Sequence, residues 1–235
     1  MWMIAMYRAT SLFSLKPATA TASGGRTLLV PTPYAIKMAL LDVMCRLIGQ
    51  AAAGAAWDDW LGQVDIALRP AQAVVVNNTF IRILRPPKKA KPGQPFQRTI
   101  AYREYAQLAG DFGIALLLSD DAPDDVVALA QRAFVHVNYL GKRGGFVQLQ
   151  AVPQQMPALP DDFLQIGDTL KDGFALDAVL TQLDDTGEKA TFEVVNIYNR
   201  SKRITSGKHR VLHHVALPYE RVKSSRGYTH YRLRR

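Results

Sequence analysis

The order of the secondary-structure signals in the first 150 residues constrains the fold of this chain more than any other feature. Residues 3–13 hold β-favouring side chains and predict a strand. Thr32 can cap a helix whose first position is Pro33, where proline is best tolerated, and apolar residues then recur at helical spacing as far as Gly49. The chain is therefore predicted to begin with a strand followed by a helix.

A second helix is predicted further along, among several strands. Asp120 or Asp121 begins it, because the acidic residues of its first turn complement the helix dipole, and it ends near Tyr139. The strands around it are predicted at Ala73–Val76, Phe80–Leu84, Arg98–Tyr105, Phe112–Leu118 and Phe146–Leu149. Strand, helix, strand, strand, helix, strand is the ferredoxin-like (RRM-like) βαββαβ order, so the predicted fold class is α+β.

The segment Arg85–Pro95 interrupts the predicted strands. It contains four prolines in eleven residues. Because proline lacks an amide donor and fixes φ, this segment cannot form regular structure. Since strands are predicted on both sides of it, we expect an inserted, protruding β-hairpin at about residues 77–103 with a basic tip.

The pattern changes after residue 150, where prolines between residues 153 and 160 mark a linker. The first domain is therefore predicted to cover residues 1–152, and a small, β-rich, basic C-terminal region to cover residues 160–235. The strands expected in this second region, the first two of them flanking a hairpin turn at 184–188, are Ala175–Leu183, Ala190–Tyr198 and Val211–Leu217.

Charge is strongly segregated along this chain, whose formal net charge is +9. Residues 77–103 include seven basic residues and no acidic one, and residues 200–235 include eleven basic residues against Glu220. Residues 161–193 instead carry nine acidic residues against two lysines. Two concentrated basic segments are what a site that follows a polyanion backbone needs, because each neutralised phosphate releases counterions. A flexible basic tail together with a charged loop is the alternative explanation.

The loop Gly141-Lys142-Arg143-Gly144-Gly145 is the sharpest motif in the sequence. Glycines let the backbone approach a phosphate closely, and the lysine and arginine supply positive charge. An ordinary helix-to-strand turn would use the same glycines, so the motif supports a nucleic-acid site only through its place before the last predicted strand of the fold.

The strand around Tyr102 offers a second candidate contact. Its alternation places Tyr102 and Glu104 on one face and Arg103 and Tyr105 on the other, and Arg103 is the preferred RNA contact. The complete set of predicted RNA-binding residues is Arg82, Arg85, Lys88, Lys89, Lys91, Arg98, Arg103, Gly141, Lys142, Arg143, Gly144 and Gly145.

Other classes of site have little support in the sequence. The single cysteine, Cys45, excludes an internal disulfide and a cysteine-based zinc cluster, and the five histidines lack metal-ligand spacing. No metal and no cofactor are therefore expected. No apolar run approaches the roughly 18 residues that a membrane span requires, and residues 1–8 lack the pattern of a secretory signal. We expect a cytoplasmic protein without a membrane partner.

Three passages together resemble the CRISPR-associated RAMP proteins, and among them the Cas-five family of type I Cascade complexes. They are Tyr7–Met38, the strand Arg103-Glu104-Tyr105 after its basic, proline-containing insertion, and Leu140–Val147. The resemblance covers roughly residues 3–150, and the order of these motifs along the chain is more specific than any one of them.

This resemblance implies a ferredoxin-like domain with a thumb-like hairpin insertion, in a subunit that caps the 5′ handle of the guide RNA (crRNA). It also implies contacts with the backbone-filament subunit and the large subunit of the effector complex, with target DNA nearby. The main hypothesis is a non-catalytic RNA-binding subunit.

Two alternatives remain open. Some members of the resembled family process precursor guide RNA without metal, using a Tyr, Lys and His set, for which Tyr34 with Lys37 or His136 with Lys142 could supply groups here. No complete trio aligns, so no catalytic residue is assigned, and a metal-independent endoribonuclease is kept as the first alternative. A generic RNA-binding module outside CRISPR systems is the second.

Overall fold

The structure, a computed structural model, describes residues 1–20, 24–87, 89, 92–93, 95–167 and 178–234. The helices are α1 (Pro33–Ile48), α2 (Gln50–Ala56), a π-helical turn (Trp57–Leu61), α3 (Asp124–His136) and α4 (Phe192–Val195). The strands are β1 (Trp2–Ala9), β2 (Gly24–Gly25), β3 (Asp65–Arg69), β4 (Ala73–Arg85), β5 (Gln97–Ala109), β6 (Asp111–Leu117), β7 (Val147–Leu149), β8 (Gln154–Met156), β9 (Leu164–Gln165), β10 (Val179–Thr186), β11 (Arg210–Leu217), β12 (Tyr219–Ser224) and β13 (Tyr228–Leu233). A mixed α/β protein with mainly antiparallel sheets is thus confirmed.

Helix α1 forms where the sequence predicts it. The hydroxyl of Thr32 accepts a hydrogen bond from the Ala35 amide at 3.1 Å, and Pro33 stands at the first helical position. The helix ends at Gly49, whose φ of 84° favours glycine. Its apolar stripe, including Ile36, Leu40 and Met44, is buried in the main core.

The first sheet has the strand order β7-β1-β6-β3-β9, with β8 also paired to β1. One face of β1 packs into the main core through Met3, Ala5 and Tyr7, and the Tyr7 hydroxyl donates to the Phe134 carbonyl of α3 at 2.6 Å. Trp2 and Ile4 project to the other face, into a smaller apolar cluster. This sheet is therefore covered on both sides.

Three strands of this sheet, β3, β8 and β9, were not predicted from the sequence, and β3 is the most central of them. Strand β3 pairs with β6 on one side and β9 on the other, and its central residues Ile66, Ala67 and Leu68 are all buried. Because both of its faces are covered, β3 lacks the alternation that marks a half-exposed strand. The predicted runs at 73–84 do not supply this strand: they form one continuous strand, β4, in a different sheet.

The second sheet has the order β12-β13-β4-β5-β2. Strands β4 and β5 pair antiparallel in register from Ala73 with Ala109 out to Arg85 with Gln97. Strand β13, from the C-terminal segment, adds to the other edge of β4, with Tyr228 opposite Asn77. The two basic segments seen in the sequence thus contribute strands to the same sheet.

The third sheet pairs β10 with β11 and corrects the predicted C-terminal hairpin. The predicted turn residues Asp184 and Asp185 lie inside β10, where they are ion-pair partners of Arg210 and Lys37. Strand β10 pairs with 210–217, which confirms a strand at Val211–Leu217. Residues 190–198 do not form the predicted strand and instead contain α4, whose first amide, of Phe192, donates to an Asp58 carboxylate oxygen at 2.7 Å.

A buried ion pair ties α1 to this third sheet. The ammonium of Lys37, only 2% exposed, lies 2.7 Å from an Asp185 carboxylate oxygen. It also donates to the Thr186 hydroxyl at 3.0 Å, and that hydroxyl donates to the Gly62 carbonyl. The proposed division of the chain into residues 1–152 and 160–235 remains a prediction, although β9 and β13 of the second part join sheets of the first.

Among the helices that the structure describes, none combines the length and apolarity needed to cross a membrane.

Candidate nucleic-acid interface

A cleft of about 870 Å³ opens between the outer face of α1, the α4 segment, the strand β2 region and the glycine-rich loop. Apolar side chains form much of its wall, and aromatic rings line it at several points. The lining residues include Lys16, Gly25, Arg26, Leu28, Tyr34, Met38, Leu41, Arg103, Lys142, Arg143, Asp184, Phe192, Val195 and Arg210. The cleft is therefore both apolar inside and rich in cationic side chains.

The cleft brings together predicted residues that are far apart in the sequence. Arg103 on β5 and the loop residues Lys142 and Arg143 all line it. Gly141 lies beside them, while Gly144 and Gly145 line a small adjoining depression of about 120 Å³. The predicted strand contact and the predicted loop contact thus form one surface.

Three further cations of the cleft were not singled out in the sequence. Lys16 and Arg26 are exposed side chains next to the cleft, and Arg210 begins β11. The carboxylates that line the cleft are both engaged, Asp42 with Arg46 at 3.3 Å and Asp184 with Arg210 at 2.5 Å. The field in the cleft is consequently dominated by positive charge.

Arg103 owes its position to a glycine on the neighbouring strand. Strands β2 and β5 pair in parallel, with Gly25 opposite Arg103. A Cβ atom on Gly25 would lie 2.8 Å from both the Arg103 Cδ and the Tyr102 carbonyl oxygen. The Arg103 side chain can therefore cross Gly25 only because no side chain is there, and its guanidinium donates to the Tyr102 carbonyl at 3.2 Å.

The glycine-rich loop is a tight turn with structural reasons for its glycines. Gly141 and Gly144 have φ values of 69° and 108°, and a Cβ on Gly145 would lie 2.9 Å from the Leu140 carbonyl oxygen. Ser11 fixes the loop by donating to the Gly144 carbonyl at 2.6 Å. The Gly145 amide donates to the Lys142 carbonyl at 3.1 Å. The turn leaves Lys142 and Arg143 exposed.

Tyr34 and Arg210 form a stacked pair on the wall of the cleft. The guanidinium carbon of Arg210 lies 4.3 Å from the centroid of the Tyr34 ring. Asp184, 2% exposed, holds that guanidinium from the adjacent strand. Burial raises the pKa of the Tyr34 hydroxyl, an effect that Arg210 opposes and Asp184 increases. Tyr34 is therefore protonated at neutral pH.

The alternative catalytic groups are dispersed. Lys37 lies in its buried ion pair and does not line the cleft with Tyr34. His136 is exposed at the end of α3, where its ring nitrogen Nδ1 lies 2.9 Å from the Arg132 carbonyl. His209 accepts a hydrogen bond from the Thr205 amide through Nδ1 at 3.0 Å. Of the candidate groups, Tyr34 and Lys142 line the cleft, and no histidine lines it with them, so an endoribonuclease remains a hypothesis without assigned residues.

Of the predicted hairpin residues that the structure describes, Arg103 lines the cleft, whereas Arg82, Arg85, Lys89 and Arg98 do not. Arg82 and Arg98 share one face of the hairpin with the apolar side chains of Phe80, Leu84 and Ile100, which are 69%, 66% and 66% exposed. Arg85 projects from the opposite face. Lys89 is exposed, and Lys88 and Lys91 lie outside the described residues.

Local sequence signals account for only part of this site. Lys16 and Arg26 are isolated cations between short segments, and nothing in their immediate sequence marks them as ligands. Arg210 lies within the basic segment 200–235, so the charge pattern indicated its region but gave no reason to prefer it. Its stacking on Tyr34 depends on a long-range contact between α1 and β11.

No family model matches the chain. The chain is 22% identical over 191 residues to the CRISPR-associated protein Cas5 of Archaeoglobus fulgidus, a match that covers 80% of this chain and 81% of that protein.

Two solved structures also align with the chain. One is a CRISPR protein from Archaeoglobus fulgidus, with a TM-score of 0.40 and 11% identity, covering 100% of this chain and 92% of that one. The other is a chain of a CRISPR RNA-guided surveillance complex, with a TM-score of 0.45 and 13% identity, covering 91% of this chain and 88% of that one. The sequence match confirms the resemblance predicted from the motifs: this chain is similar to the Cas-five family of CRISPR-associated proteins.

Proposed function

We propose that this chain is a guide-RNA-binding subunit of a CRISPR RNA-guided surveillance complex and that it caps the 5′ handle of the guide RNA. The observation that carries this proposal is the convergence of Arg103, Lys142 and Arg143 on one cleft, in a chain similar to a Cas5 protein. Cations from separate elements on one concave surface suit a backbone that bends, such as single-stranded RNA.

The proposal includes a ferredoxin-like (RRM-like) domain. Its support is the order β7-β1-β6-β3 of neighbouring antiparallel strands, with α1 between β1 and β3 in sequence and α3 between β6 and β7. The hairpin β4–β5 is then the inserted thumb, and the glycine-rich loop precedes the last strand of the domain. Residues 160–235 form the smaller C-terminal region in this proposal.

The charged groups of the cleft have separate roles in the proposal. Lys142 and Arg143 neutralise phosphates as exposed point charges, which makes binding salt-dependent. Arg103, whose position is set by Gly25, orients the backbone at the cleft entrance. The glycines support the turn that presents the loop cations, and the amides of Gly141 and Gly144 are secondary contacts, since the Gly145 amide is used within the turn.

The exposed face of the hairpin suits contacts with other subunits of the complex. Phe80, Leu84 and Ile100 are exposed apolar side chains of this face, with Arg82 between Phe80 and Leu84 on β4 and Arg98 opposite Leu84 on β5. Apolar groups of this size on a protruding element are typical of surfaces that are covered on assembly. We assign this face to the backbone-filament subunit or the large subunit, and we keep Arg85, Lys88, Lys89 and Lys91 as further proposed RNA contacts.

Co-purification tests the proposed function. The tagged chain is expressed with its neighbouring genes and a repeat array, and the RNA retained after a high-salt wash is sequenced. We expect short RNAs that begin with the repeat-derived handle. A charge-reversed variant, Lys142→Glu with Arg143→Glu, should lose this RNA, whereas Lys208→Glu with Lys223→Glu, exposed cations outside the cleft, should retain it.

Retention of unrelated cellular RNA by the wild-type chain, with no enrichment of repeat sequences, would contradict the assignment to a guide-RNA subunit. It would favour a generic RNA-binding module instead.

A further inference from the structure

We propose that the cleft holds one unstacked nucleobase of the bound RNA, stacked against the Tyr34–Arg210 pair, while the adjoining phosphates contact the cations at the cleft entrance. This inference rests on the proposed function and adds the chemical class of the group that enters the cleft. Phosphate binding alone does not explain the apolar interior of the cleft, whereas a bound base does.

The size of the cleft fits this occupant. Its volume of about 870 Å³ lies within the range of about 300–1,000 Å³ typical of small-ligand sites. A phosphate needs only a shallow cationic surface, such as the depression beside Gly144 and Gly145. A cleft of this volume therefore has room for a nucleoside as well as its phosphate.

The walls of the cleft match the faces of a base. Leu28, Met38, Leu41, Phe192 and Val195 supply apolar surface. A base that leaves its stack loses contact on both faces and regains it on aromatic rings, guanidinium planes and apolar side chains. The cations stand among the same lining residues, so one nucleotide can engage both kinds of surface.

The stacking surface is organised before any ligand binds. Arg210 is held by a 2.5 Å ion pair to the buried carboxylate of Asp184, and its guanidinium already lies over the Tyr34 ring at 4.3 Å. Asp184 and Arg210 come from paired strands, which fixes the arrangement further. A planar group can bind to this pair without first ordering it, and this preorganisation lowers the cost of binding.

An acidic, apolar peptide of a partner protein could use the same charges. The Tyr34 ring and the Arg210 guanidinium, two planar groups 4.3 Å apart, favour a base instead, because branched side chains do not stack on planar groups. The test below separates the two occupants.

The experiment uses the full-length chain and synthetic handle RNA from the neighbouring repeat array, with a single abasic nucleotide introduced at each position in turn. Binding is measured by fluorescence anisotropy. We expect one position at which loss of the base weakens binding about tenfold, the effect typical of one base–aromatic stack. At the other positions, whose phosphates are unchanged, the effect should be small.

Two variants connect that position to the cleft. Tyr34→Leu removes the ring, and Arg210→Lys keeps the charge next to Asp184 but removes the guanidinium plane. In both, the intact RNA should bind about tenfold more weakly and the abasic RNA should bind as it does to the wild type. The control is Arg232→Lys, since Arg232 has a similar ion pair, to Glu220 at 2.5 Å, but does not line the cleft. Unfolding curves establish that each variant is folded.

The outcomes distinguish this inference from the function on which it rests. Failure of the wild-type chain to bind handle RNA would overturn both. Tight binding that no abasic position weakens, or an abasic effect that persists unchanged in both variants, would overturn only the base site. If the variants bind RNA normally but lose a partner subunit, the cleft is a protein-binding surface and the inference is wrong.

Discussion

At the scale of single residues, the candidate interface depends on glycines that leave space for a neighbouring side chain or for the backbone. Gly25 allows Arg103 to cross β2, and Gly145 allows the loop backbone to approach the Leu140 carbonyl. Neither glycine has a positive φ, so the backbone conformation does not require glycine at these positions. Their importance lies in the space that they leave.

Gly25→Ala should therefore weaken RNA binding by moving Arg103. The added methyl group would meet both the Arg103 side chain and the Tyr102 carbonyl oxygen at 2.8 Å, so the side chain must take another path. We expect a loss of affinity of about five- to tenfold, as for one charge-assisted contact, measured by anisotropy titration. Gly227→Ala, where an added Cβ meets nothing within 4 Å, is the control. Equal affinities for the two variants would show that Arg103 does not contact RNA.

Lys142→Ala with Arg143→Ala should reduce the salt dependence of RNA binding. Each lost phosphate contact lowers the slope of log K against log salt concentration by about 0.7 for a single strand. The double variant should therefore lose about 1.4 from that slope. The charge-matched control is Lys208→Ala with Lys223→Ala, whose side chains are exposed and lie outside the cleft. A slope that is unchanged in the loop variant but reduced in the control would move the RNA site to the C-terminal segment.

At the scale of elements, the contact between α1 and β10 holds the cleft in shape. Tyr34 and Lys37 are one turn apart on α1, and both contact the third sheet. The Tyr34 ring lies under the guanidinium of Arg210, which is paired with Asp184. The Lys37 ammonium contacts Asp185 and Thr186. The first contact faces the cleft and the second is buried behind it. The position of the stacked pair thus depends on a buried ion pair that itself touches no ligand.

Lys37→Ala should destabilise the protein strongly. It would leave the Asp185 carboxylate without its closest cationic partner, at 2.7 Å, and removal of one member of a buried pair costs about 3–5 kcal/mol. The free energy of unfolding, measured with urea, gives this cost directly. Arg46→Ala breaks the exposed pair with Asp42 on the same helix and should cost less than about 0.5 kcal/mol. Similar values for the two variants would contradict the structural role assigned to Lys37.

The apolar face of the hairpin provides a prediction about assembly. Leu84→Ser with Ile100→Thr changes side chains that are each 66% exposed, so the unfolding midpoint of the isolated chain should hardly move. Recovery of the partner subunits in a pull-down should fall, because the apolar contact that assembly buries is lost. The matched change on the other face, Thr79→Ser with Thr99→Ser, should leave recovery unchanged. Full recovery with the first variant would show that this face is not covered by a partner.

Elements with a complete local signature were predictable from the sequence, and those defined by distant partners were not. Helix α1 carries its own cap at Thr32, and the hairpin carries its own proline-rich tip. Strand β3 is recognisable only through the strands on both sides of it. Asp184 and Asp185 resemble turn residues until Arg210 and Lys37 are brought next to them.

At the scale of the whole molecule, the chain concentrates charge that is scattered in the sequence. Lys16, Arg26, Arg103, Lys142 and Arg210 reach one cleft from two sheets and several loops. The basic segment 200–235 divides between this cleft, through Arg210, and the edge of the hairpin sheet, through β12 and β13. The sequence indicated a polyanion site, and the fold determines which of the cations can share one ligand.

The central claim is that the chain holds its RNA in this cleft. Crosslinking in the assembled complex tests that claim most directly. The complex purified with its own guide RNA is irradiated with ultraviolet light, and the crosslinked peptides are identified by mass spectrometry. We predict crosslinks from the handle nucleotides to peptides that contain Tyr34, Arg103 and Lys142, with the Tyr34 crosslink confined to one nucleotide. Handle crosslinks found only on peptides outside the cleft, such as those of β12 and β13, would contradict the account.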